Sequence, residues 1–323
     1  MAGYEVHEFT ADALDDAARL LAERHRRHRL SMPALNPIYE QPSAARLEIA
    51  QLLGREEASG IIVTSGGAAI AYVLGAPRPD SGWGPNVWVE DAGSAANDGE
   101  ALREAYAAAA ARWVDAGRTS HFVNVPATDQ LLHDAWFSLS FGLQHIHALR
   151  EPVATDFAPS LSAGLVIRRA EKRDIPALAE LGLVVPRHVA RSPVFSTIHV
   201  PTLDEVAAEA EEELDDPRYA EFVAVHGERV IGSAIGCTLE MSSGNTRVIR
   251  PVSAGFLAHA AVLSDARGLG AGRALGEAVM AWSRDEGYEW VATDWRSTNL
   301  EAHRTWTGLG FGPSYHRLHR AIV

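Results

Sequence analysis

The stretch SDARGLGAGRALGEAVMAW, Ser264–Trp282, places three glycines directly before an amphipathic helical pattern. Because glycine lacks a Cβ, such a density lets a backbone adopt left-handed conformations or approach a ligand closely. The preceding segment Phe256–Val262 is apolar except for His259, as is typical of a strand. A strand, a glycine-rich turn and a helix start predict an anion site, because the first N–H groups of a helix are unpaired and its dipole is positive there.

The spacing of this turn, Arg-x-x-Gly-x-Gly, limits the kinds of anion that it could bind. It is neither a P-loop, which needs Lys followed by Ser or Thr, nor a dinucleotide fingerprint. Gly270 and Gly272 would let the backbone close on a pyrophosphate, and Arg267 would add a charge-assisted contact. By itself the motif is equally consistent with a plain tight turn.

The rest of the chain repeats itself. The segment IIVTSGGAAIAYVLGA, Ile61–Ala76, resembles FVAVHGERVIGSAIGC, Phe222–Cys237, and both are β-hairpins by pattern. Further on, WFSLSFG at Trp136–Gly142 matches WTGLGFG at Trp306–Gly312 in the same order. A repeat of this length predicts duplicated domains rather than a solenoid.

The two halves are predicted to be domains at 1–153 and 162–323. Each reads as strand, helix, variable helical segment, hairpin, strand, long helix, strand, short helix and strand. The segment Glu151–Gly164 holds two prolines and small polar residues, which predicts the linker between them.

Composition excludes several classes of partner. The formal net charge of −13 opposes binding to nucleic acid or to an anionic membrane. Neither a signal peptide nor a membrane span is predicted. Cys237 is the single cysteine, so no intrachain disulfide can form, and we expect a cytoplasmic protein. The histidines lack the spacing of a metal motif, and no metal is predicted.

Two motifs together resemble the GNAT family of acetyltransferases. The turn Arg267–Gly272 is similar to that family's acetyl-CoA pyrophosphate loop, and NLEAHRTWTGLGF, Asn299–Phe311, is similar to its second signature. The resemblance covers Leu165 to the C-terminus, and the duplication extends it to a tandem GNAT protein. It implies two α/β GNAT-like domains, each with a central mixed, mostly antiparallel sheet flanked by helices.

The resemblance also implies acetyl-CoA as cosubstrate, bound by the second domain. The backbone of the strand before the loop would meet the thioester, the loop would hold the pyrophosphate, and the short helix would border the pantetheine arm. The implied cofactor-binding residues are Ala261, Val262, Arg267, Gly268, Leu269, Gly270, Ala271, Gly272, Asn299, Ala302 and Trp306.

Direct attack of an amine on the thioester requires a proton acceptor. His259 is the titratable residue on the relevant strand, with an ordinary pKa near 6.5; a histidine satisfied within the sheet is the alternative. Many GNATs place a tyrosine where this chain has Trp306, whose indole has no proton to give at a useful pKa. Either the thiolate leaves as such, or His303 or Tyr315 supplies the proton.

The acceptor is expected to lie near TDWRSTN, where Arg296 would clamp a carboxylate and Asp294 an amine; a mutual salt bridge is the alternative. The acidic run Glu209–Asp216 is expected to be a solvated helix face. The basic run Arg24–Arg29 ends the first helix, where cations suit the dipole, and is interpreted as structural.

The first half is predicted to lack the cofactor site. Alignment on Trp113 and Trp282 puts Asp98 opposite Arg267 and Ala101 opposite Gly270. Asp98 and Glu100 would repel a pyrophosphate, and Asp129 replaces Asn299 of the second signature. The first domain is therefore interpreted as structural, forming one wall of the acceptor cleft.

These inferences favour an N-acetyltransferase that acts on a primary amine of a small molecule. Acetylation of protein N-termini or lysines is one alternative, and a non-catalytic acetyl-CoA sensor or interaction module is another. The chain is expected to be a monomer or a homodimer.

Overall fold

A computed structural model of the chain describes residues 3–79, 81–153, 163–196, 199–242, 244 and 247–322. The chain forms two compact units. Unit 1 comprises Met1–Ile146, Thr246–Val252 and Pro313–Val323, and unit 2 comprises His147–Asn245 and Ser253–Gly312. Most of the predicted linker Glu151–Gly164 lies outside the described residues.

Unit 1 contains a four-stranded sheet in the order β1-β2-β3-β5 and a second group of strands in the order β4-β6-β13-β7. Helices α1 and α2 pack on the first sheet, and α3 packs against β2 and β3. Strand β7 runs out of unit 1 at Ile146. The elements are β1 Tyr4–Glu8, α1 Leu14–Ser31, α2 Pro42–Leu53, β2 Ser59–Ser65, β3 Ala68–Gly75, β4 Asn86–Val89, β5 Ser94–Ala96, α3 Gly99–Asp115, β6 Ser120–Pro126, α4 Gln130–Ser138, β7 Gly142–Arg150 and β13 Gly312–Ala321.

Unit 2 contains strands in the order β12-β11-β10-β9-β8. Their pairings are antiparallel except that of β11 with β12, which is parallel. The elements are β8 Leu165–Arg169, α5 Ile175–Gly182, α6 Val184–Val189, α7 Leu203–Asp215, β9 Tyr219–His226, β10 Arg229–Thr238, β11 Ala254–Val262, α8 Ala271–Asp285, β12 Trp290–Arg296 and α9 Leu300–Gly308.

One packing contact shows that the two halves are built alike. A Cβ on Gly75 at the end of β3 would lie 3.0 Å from the Trp113 ring of α3, and a Cβ on Gly236 of β10 would lie 2.7 Å from the Trp282 ring of α8. In both units the long helix thus presses an indole against a strand where a side chain does not fit. The predicted α/β architecture, with mixed, mostly antiparallel sheets and flanking helices in both halves, is confirmed.

The compact units nevertheless differ from the sequence halves. Strand β13, at the end of the second half, pairs with β6 of the first, from Tyr315 opposite Pro126 to Ala321 opposite Ser120. Contacts therefore assign the C-terminal strand to unit 1. The limits 1–153 and 162–323 describe the duplicated sequence and stay a prediction.

Candidate active site

Strands β11 and β12 of unit 2 separate partway along their length. Their parallel pairing covers Ala254 opposite Trp290 through Leu257 opposite Thr293, and the Thr293 hydroxyl donates to the Leu257 carbonyl at 3.0 Å. Strand β11 continues to Val262, paired only with β10 among the described residues. The register with β10 shifts so that Ala258 is an extra, bulged residue. Beyond Leu257, backbone groups of β11 therefore face an opening in the sheet rather than a neighbouring strand.

The glycine-rich turn follows β11 directly. Gly268 and Gly270 have φ angles of +87° and +82°, where L side chains are rarely found, and a Cβ on either would meet nothing within 4 Å. The backbone conformation itself thus requires glycine at both positions, and open space lies beside them. Gly272 lies in the first turn of α8, and its Cβ would make an ordinary 3.7 Å contact with Val262. Of the three glycines, Gly272 is the one whose backbone does not demand glycine.

Helix α8 begins without a side-chain cap. Its N-cap is Gly270, and the first intrahelical bond runs from the Ala274 N–H to the Gly270 carbonyl at 3.0 Å. The N–H groups before Ala274 have no acceptor within the helix, and the N-cap glycine has no side chain to accept from them. The first turn includes the buried Ala271 and follows the half-buried Leu269. The arrangement leaves the positive end of a helix open to an anion.

The Arg267 side chain is exposed beside the start of α8. It donates to Glu301, in the first turn of α9, at 2.7 Å, and both side chains are close to half exposed. An exposed pair of this kind contributes little net stability. The sequence does not indicate Glu301 as a site residue, because Glu301 lies 34 positions away from its partner Arg267.

The second signature provides a helix cap. The Asn299 side chain accepts from the Ala302 N–H at 3.2 Å and starts α9, and the His188 ring lies 3.3 Å from the same oxygen. In unit 1, Asp129 caps α4 by accepting from Leu132 N–H at 3.1 Å. The replacement of Asn by Asp therefore preserves capping, since both side chains offer the required oxygen.

Trp306 packs inside unit 2. It is 7% exposed, its ring contacts Phe311, and a Cβ on Gly276 of α8 would lie 3.1 Å from it. Its counterpart Trp136 is fully buried in unit 1. Both indoles join the short helix to the long one, in agreement with a packing role.

His259 lies on β11 just past the bulge, opposite Ile235 of β10. Burial lowers its pKa to about 4, so its ordinary value near 6.5 does not apply and the ring is neutral at neutral pH. Its buried Nε2 has no hydrogen-bond partner in the part of the chain that the structure describes. In the tautomer protonated on Nδ1, this nitrogen can accept a proton or a hydrogen bond.

The other two candidate catalytic residues lie in different units. His303 is exposed on α9 of unit 2, with its ring 6.1 Å from that of Trp295. Tyr315 is fully buried in unit 1, with its ring 4.8 Å from that of His28, and burial raises its pKa. A phenol held in this way gives up its proton less readily than a free tyrosine.

Asp294 and Arg296 follow Thr293 on β12, at the point where β12 leaves β11. The Arg296 guanidinium donates to the Ser196 hydroxyl at 3.3 Å. Burial lowers the pKa of Arg296, and the charge of Asp294 partly offsets this. Both predicted acceptor-binding residues are half-buried beside the opening in the sheet.

The corresponding helix start in unit 1 is occupied by the protein itself. Asp98 caps α3, and its carboxylate accepts from the N–H groups of Glu100 at 2.8 Å and Ala101 at 3.4 Å. Matched by their caps, Asp98 corresponds to Gly270, not to Arg267. The alignment on the tryptophans misplaces it because α3 starts about one turn further ahead of its tryptophan than α8 does.

The basic run Arg24–Arg29 and the acidic run Glu209–Asp216 do not lie entirely on the surface. Arg24 is fully buried and donates to the carbonyls of Ser94 and Asp91, so the basic run is structural but partly in the core. In the acidic run, Glu213 of α7 is half-buried, and burial and the charge of Glu209 raise its pKa to about 7. Hydrophobic periodicity did not reveal either residue, because each is polar.

Comparison with known proteins shows what the chain is similar to. Residues 191–311 match the model of the Acetyltransferase (GNAT) family. A GCN5-related N-acetyltransferase from Sphaerobacter thermophilus is 15% identical, with 98% of this chain and 95% of that chain covered and a TM-score of 0.57. A GCN5-related glucosamine N-acetyltransferase region of a fungal multi-domain enzyme is 12% identical, with 99% of this chain and 38% of that chain covered and a TM-score of 0.56. No curated protein sequence matches the chain.

A tandem GNAT protein from the clavulanic acid biosynthesis pathway is 15% identical, with 99% of this chain and 98% of that chain covered and a TM-score of 0.49. The match to the family model covers about a third of the chain, residues 191–311. The chain as a whole shares the fold of the Sphaerobacter thermophilus protein. No helix among the described residues is long and apolar enough to span a membrane.

Proposed function

We propose that unit 2 binds acetyl-CoA and transfers its acetyl group to a primary amine of a small molecule by direct attack. The observation that carries this proposal is the start of α8: an uncapped helix N-terminus at Gly270 that follows a strand separated from its neighbour. The match of residues 191–311 to the model of the Acetyltransferase (GNAT) family supports acyl transfer as the reaction class.

The residues present fit the cofactor. Pyrophosphate would accept hydrogen bonds from the first N–H groups of α8, in the open space beside Gly268 and Gly270. Arg267 would exchange its exposed pairing with Glu301 for the phosphate charge. The backbone of Ala261 and Val262 lies on the unpaired part of β11, where an N–H could stabilise the thioester oxygen as charge develops. Asn299, Ala302 and Trp306 would hold α9 against the pantetheine arm.

His259 is the proton acceptor in this proposal. The amine nitrogen forms a bond to the acetyl carbon, the carbon–sulfur bond breaks, and the amine proton passes to Nε2 directly or through water. A pKa of about 4 keeps this nitrogen unprotonated throughout the neutral range. Of the two candidate acids, His303 belongs to the same unit as the loop, and we propose it over Tyr315 wherever the thiolate does not leave unprotonated.

The acceptor would lie beside Asp294 and Arg296, at the opening between the strands. Half-burial strengthens their electrostatic interactions relative to those of surface groups. Asp294 would bind an ammonium before it loses its proton, and Arg296 would bind a carboxylate or hydroxyl of the acceptor. We propose a cytoplasmic enzyme, monomeric or homodimeric.

The test is thiol release from acetyl-CoA across a panel of small amines and lysine-containing peptides, with acetyl-CoA binding measured in parallel by calorimetry. Turnover with a small amine supports the proposal. Turnover confined to peptides would indicate a protein acetyltransferase instead. Binding of acetyl-CoA with no turnover on any amine would indicate a non-catalytic acetyl-CoA-binding module.

A further inference from the structure

Both units bring a side chain from their first helical region to the residue that caps the short helix. In unit 2, the His188 ring on α6 lies 3.3 Å from the side-chain oxygen of Asn299, the N-cap of α9. In unit 1, a guanidinium nitrogen of Arg27 on α1 lies 3.8 Å from a carboxylate oxygen of Asp129, the N-cap of α4. Each pair lies within one compact unit. The same contact is therefore made twice, with different residue types.

The four residues stand in register with the duplication. Arg27 and His188 are 161 positions apart, the same spacing that separates the two matching hairpin segments. Asp129 and Asn299 are 170 positions apart, the same spacing that separates the buried tryptophans of the two short helices. Because both members of the pair match their counterparts, the contact belongs to the duplicated architecture and is not an isolated surface pairing.

In unit 1 the pair serves the fold. Asp129 accepts from the Leu132 N–H at 3.1 Å, and Arg27 also donates to the Ala96 carbonyl at 3.4 Å. A carboxylate has acceptor oxygens only, so Asp129 has no hydrogen to donate. The pair caps and anchors α4 and presents no donor to a ligand.

In unit 2 an amide replaces the carboxylate and an imidazole replaces the guanidinium. The Asn299 oxygen accepts from the Ala302 N–H at 3.2 Å, and Nε2 of His188 contacts the same oxygen. Since an amide oxygen can only accept, the His188 ring must carry a proton on Nε2. Two donors thus fix which end of the amide faces the helix. Its NH₂ group has no hydrogen-bond partner in the part of the chain that the structure describes, and Asn299 is only half-buried.

We propose that His188 is a positioning residue for acetyl-CoA: it holds the Asn299 amide so that the NH₂ group donates to an oxygen of the pantetheine arm. This inference rests on the proposed function, in which α9 borders that arm. The arm carries amide carbonyl oxygens, which accept from an NH₂ group and gain nothing from a carboxylate. His188 acts through Asn299 and does not touch the cofactor. Its benefit is preorganisation, because a fixed amide loses less conformational freedom on binding.

The test is calorimetric titration of the full chain with acetyl-CoA and, separately, with 3′-phosphoadenosine 5′-diphosphate, the part of the cofactor without the pantetheine arm. His188→Phe keeps an aromatic ring but removes the donor, and should weaken acetyl-CoA binding about fivefold. His188→Gln keeps an N–H donor and should stay within about twofold of the wild type. Neither variant should change the affinity for the fragment.

Exchange of the two pairs separates positioning from capping. His188→Arg combined with Asn299→Asp gives unit 2 the ionic pair of unit 1, which keeps the cap but removes the NH₂ donor. Acetyl-CoA binding should fall at least about tenfold. The reverse exchange, Arg27→His combined with Asp129→Asn, is the matched control and should leave acetyl-CoA binding unchanged. Urea unfolding checks that each variant folds, and the exchanged pair replaces His188→Phe if that variant does not fold.

Three results would overturn the inference while the wild type binds acetyl-CoA. They are wild-type affinity in both His188→Phe and the exchanged pair, an equal loss in His188→Gln and His188→Phe, and a loss of affinity for the fragment by the same factor as for acetyl-CoA. If the wild type binds neither ligand, the proposed function fails and this inference fails with it.

Discussion

Helices α3 and α8 occupy corresponding positions in units 1 and 2, but their N-termini differ in chemistry. Asp98 caps α3 with a carboxylate that accepts from two backbone N–H groups, and the Tyr4 hydroxyl donates to its other oxygen at 2.8 Å. Gly270 caps α8 with no side chain at all and with φ at +82°. Every helix start attracts negative charge. In unit 1 the chain supplies that charge, whereas in unit 2 no side chain does, and we propose that a ligand supplies it.

Under the proposed function, this comparison explains how two similar halves can hold a single nucleotide site. The inward face of each long helix is preserved, since Trp113 and Trp282 make the same contact with a strand glycine. The N-cap residues of these two helices are under no such packing constraint. A single carboxylate at that position both satisfies the helix and repels a pyrophosphate, because like charges interact strongly at short range.

The largest expected effect comes from making α8 resemble α3. Gly270→Asp should weaken acetyl-CoA binding about 1000-fold, because two like charges about 4 Å apart repel each other by roughly 4 kcal/mol at intermediate polarity, and the new carboxylate would lie beside the pyrophosphate. Calorimetry with acetyl-CoA measures this effect. Gly287→Asp is the matched control: Gly287 has φ at +79°, an equally open Cβ direction, and lies just past the other end of the same helix. Equal losses in the two variants would contradict the assignment of the loop.

The next effect separates binding from chemistry. His259→Gln should lower kcat about 100-fold and leave the Kd of acetyl-CoA unchanged, because a lost proton acceptor affects the transition state rather than cofactor binding. Steady-state kinetics on the active amine measures it, with the exposed His226→Gln of β9 as control. Because the pKa of His259 is about 4, His259 should contribute no inflection to the wild-type profile between pH 6 and 8. An inflection there that disappears in His259→Gln would contradict the buried, neutral ring.

A smaller effect tests the arginine of the loop. Arg267→Gln should weaken acetyl-CoA binding about tenfold, because one charge-assisted phosphate contact is lost at an exposed site. Arg284→Gln is the control, since Arg284 is an exposed arginine near the opposite end of α8 and pairs with Asp285. Raising the salt concentration should reduce the difference between wild type and Arg267→Gln. A difference that persists unchanged in high salt would argue for a packing role of the Arg267 stem.

The smallest effect belongs to unit 1. Asp98→Ala should lower the free energy of unfolding by about 1 kcal/mol, because α3 loses its cap. The Tyr4 hydrogen bond, followed by those from the backbone, lowers the pKa of Asp98. The stabilisation is therefore present above the ordinary carboxyl pKa of about 3.9 and lost as the pH falls through the lower folded value. Urea unfolding at pH 6 and pH 3 measures this, with the exposed Asp115→Ala at the other end of α3 as control. An unchanged difference at pH 3 would show that the carboxylate charge is not involved.

Much of the candidate site could be predicted because it is local in sequence. The order of β11, the turn and α8 spans one short stretch, and glycines at positive φ leave a signature in the residue types themselves. The role of Asn299 in cofactor binding stays a prediction; the structure shows it as the N-cap of α9, where its side-chain oxygen accepts from the Ala302 N–H.

Other features depended on contacts between distant positions. Arg24 reads as one cation in a basic run, yet it is buried against carbonyls about 70 positions away. Tyr315 reads as part of the second half, yet its strand pairs with β6 and places it in unit 1. Hydrophobic periodicity does not identify a buried polar residue, so its burial and its partners are known only from the structure.

The sequence by itself determined the duplication, the order of the elements and the glycine-rich helix start, because each depends on residues that are neighbours along the chain. Tertiary structure decided which strand completes which unit, where β11 leaves β12, and that Asp98 and Tyr4 together close the helix start of unit 1. The physical reason is that strand pairing and burial are set by contacts across the fold, and these redefine what an arginine, a histidine or an aspartate can do at its position.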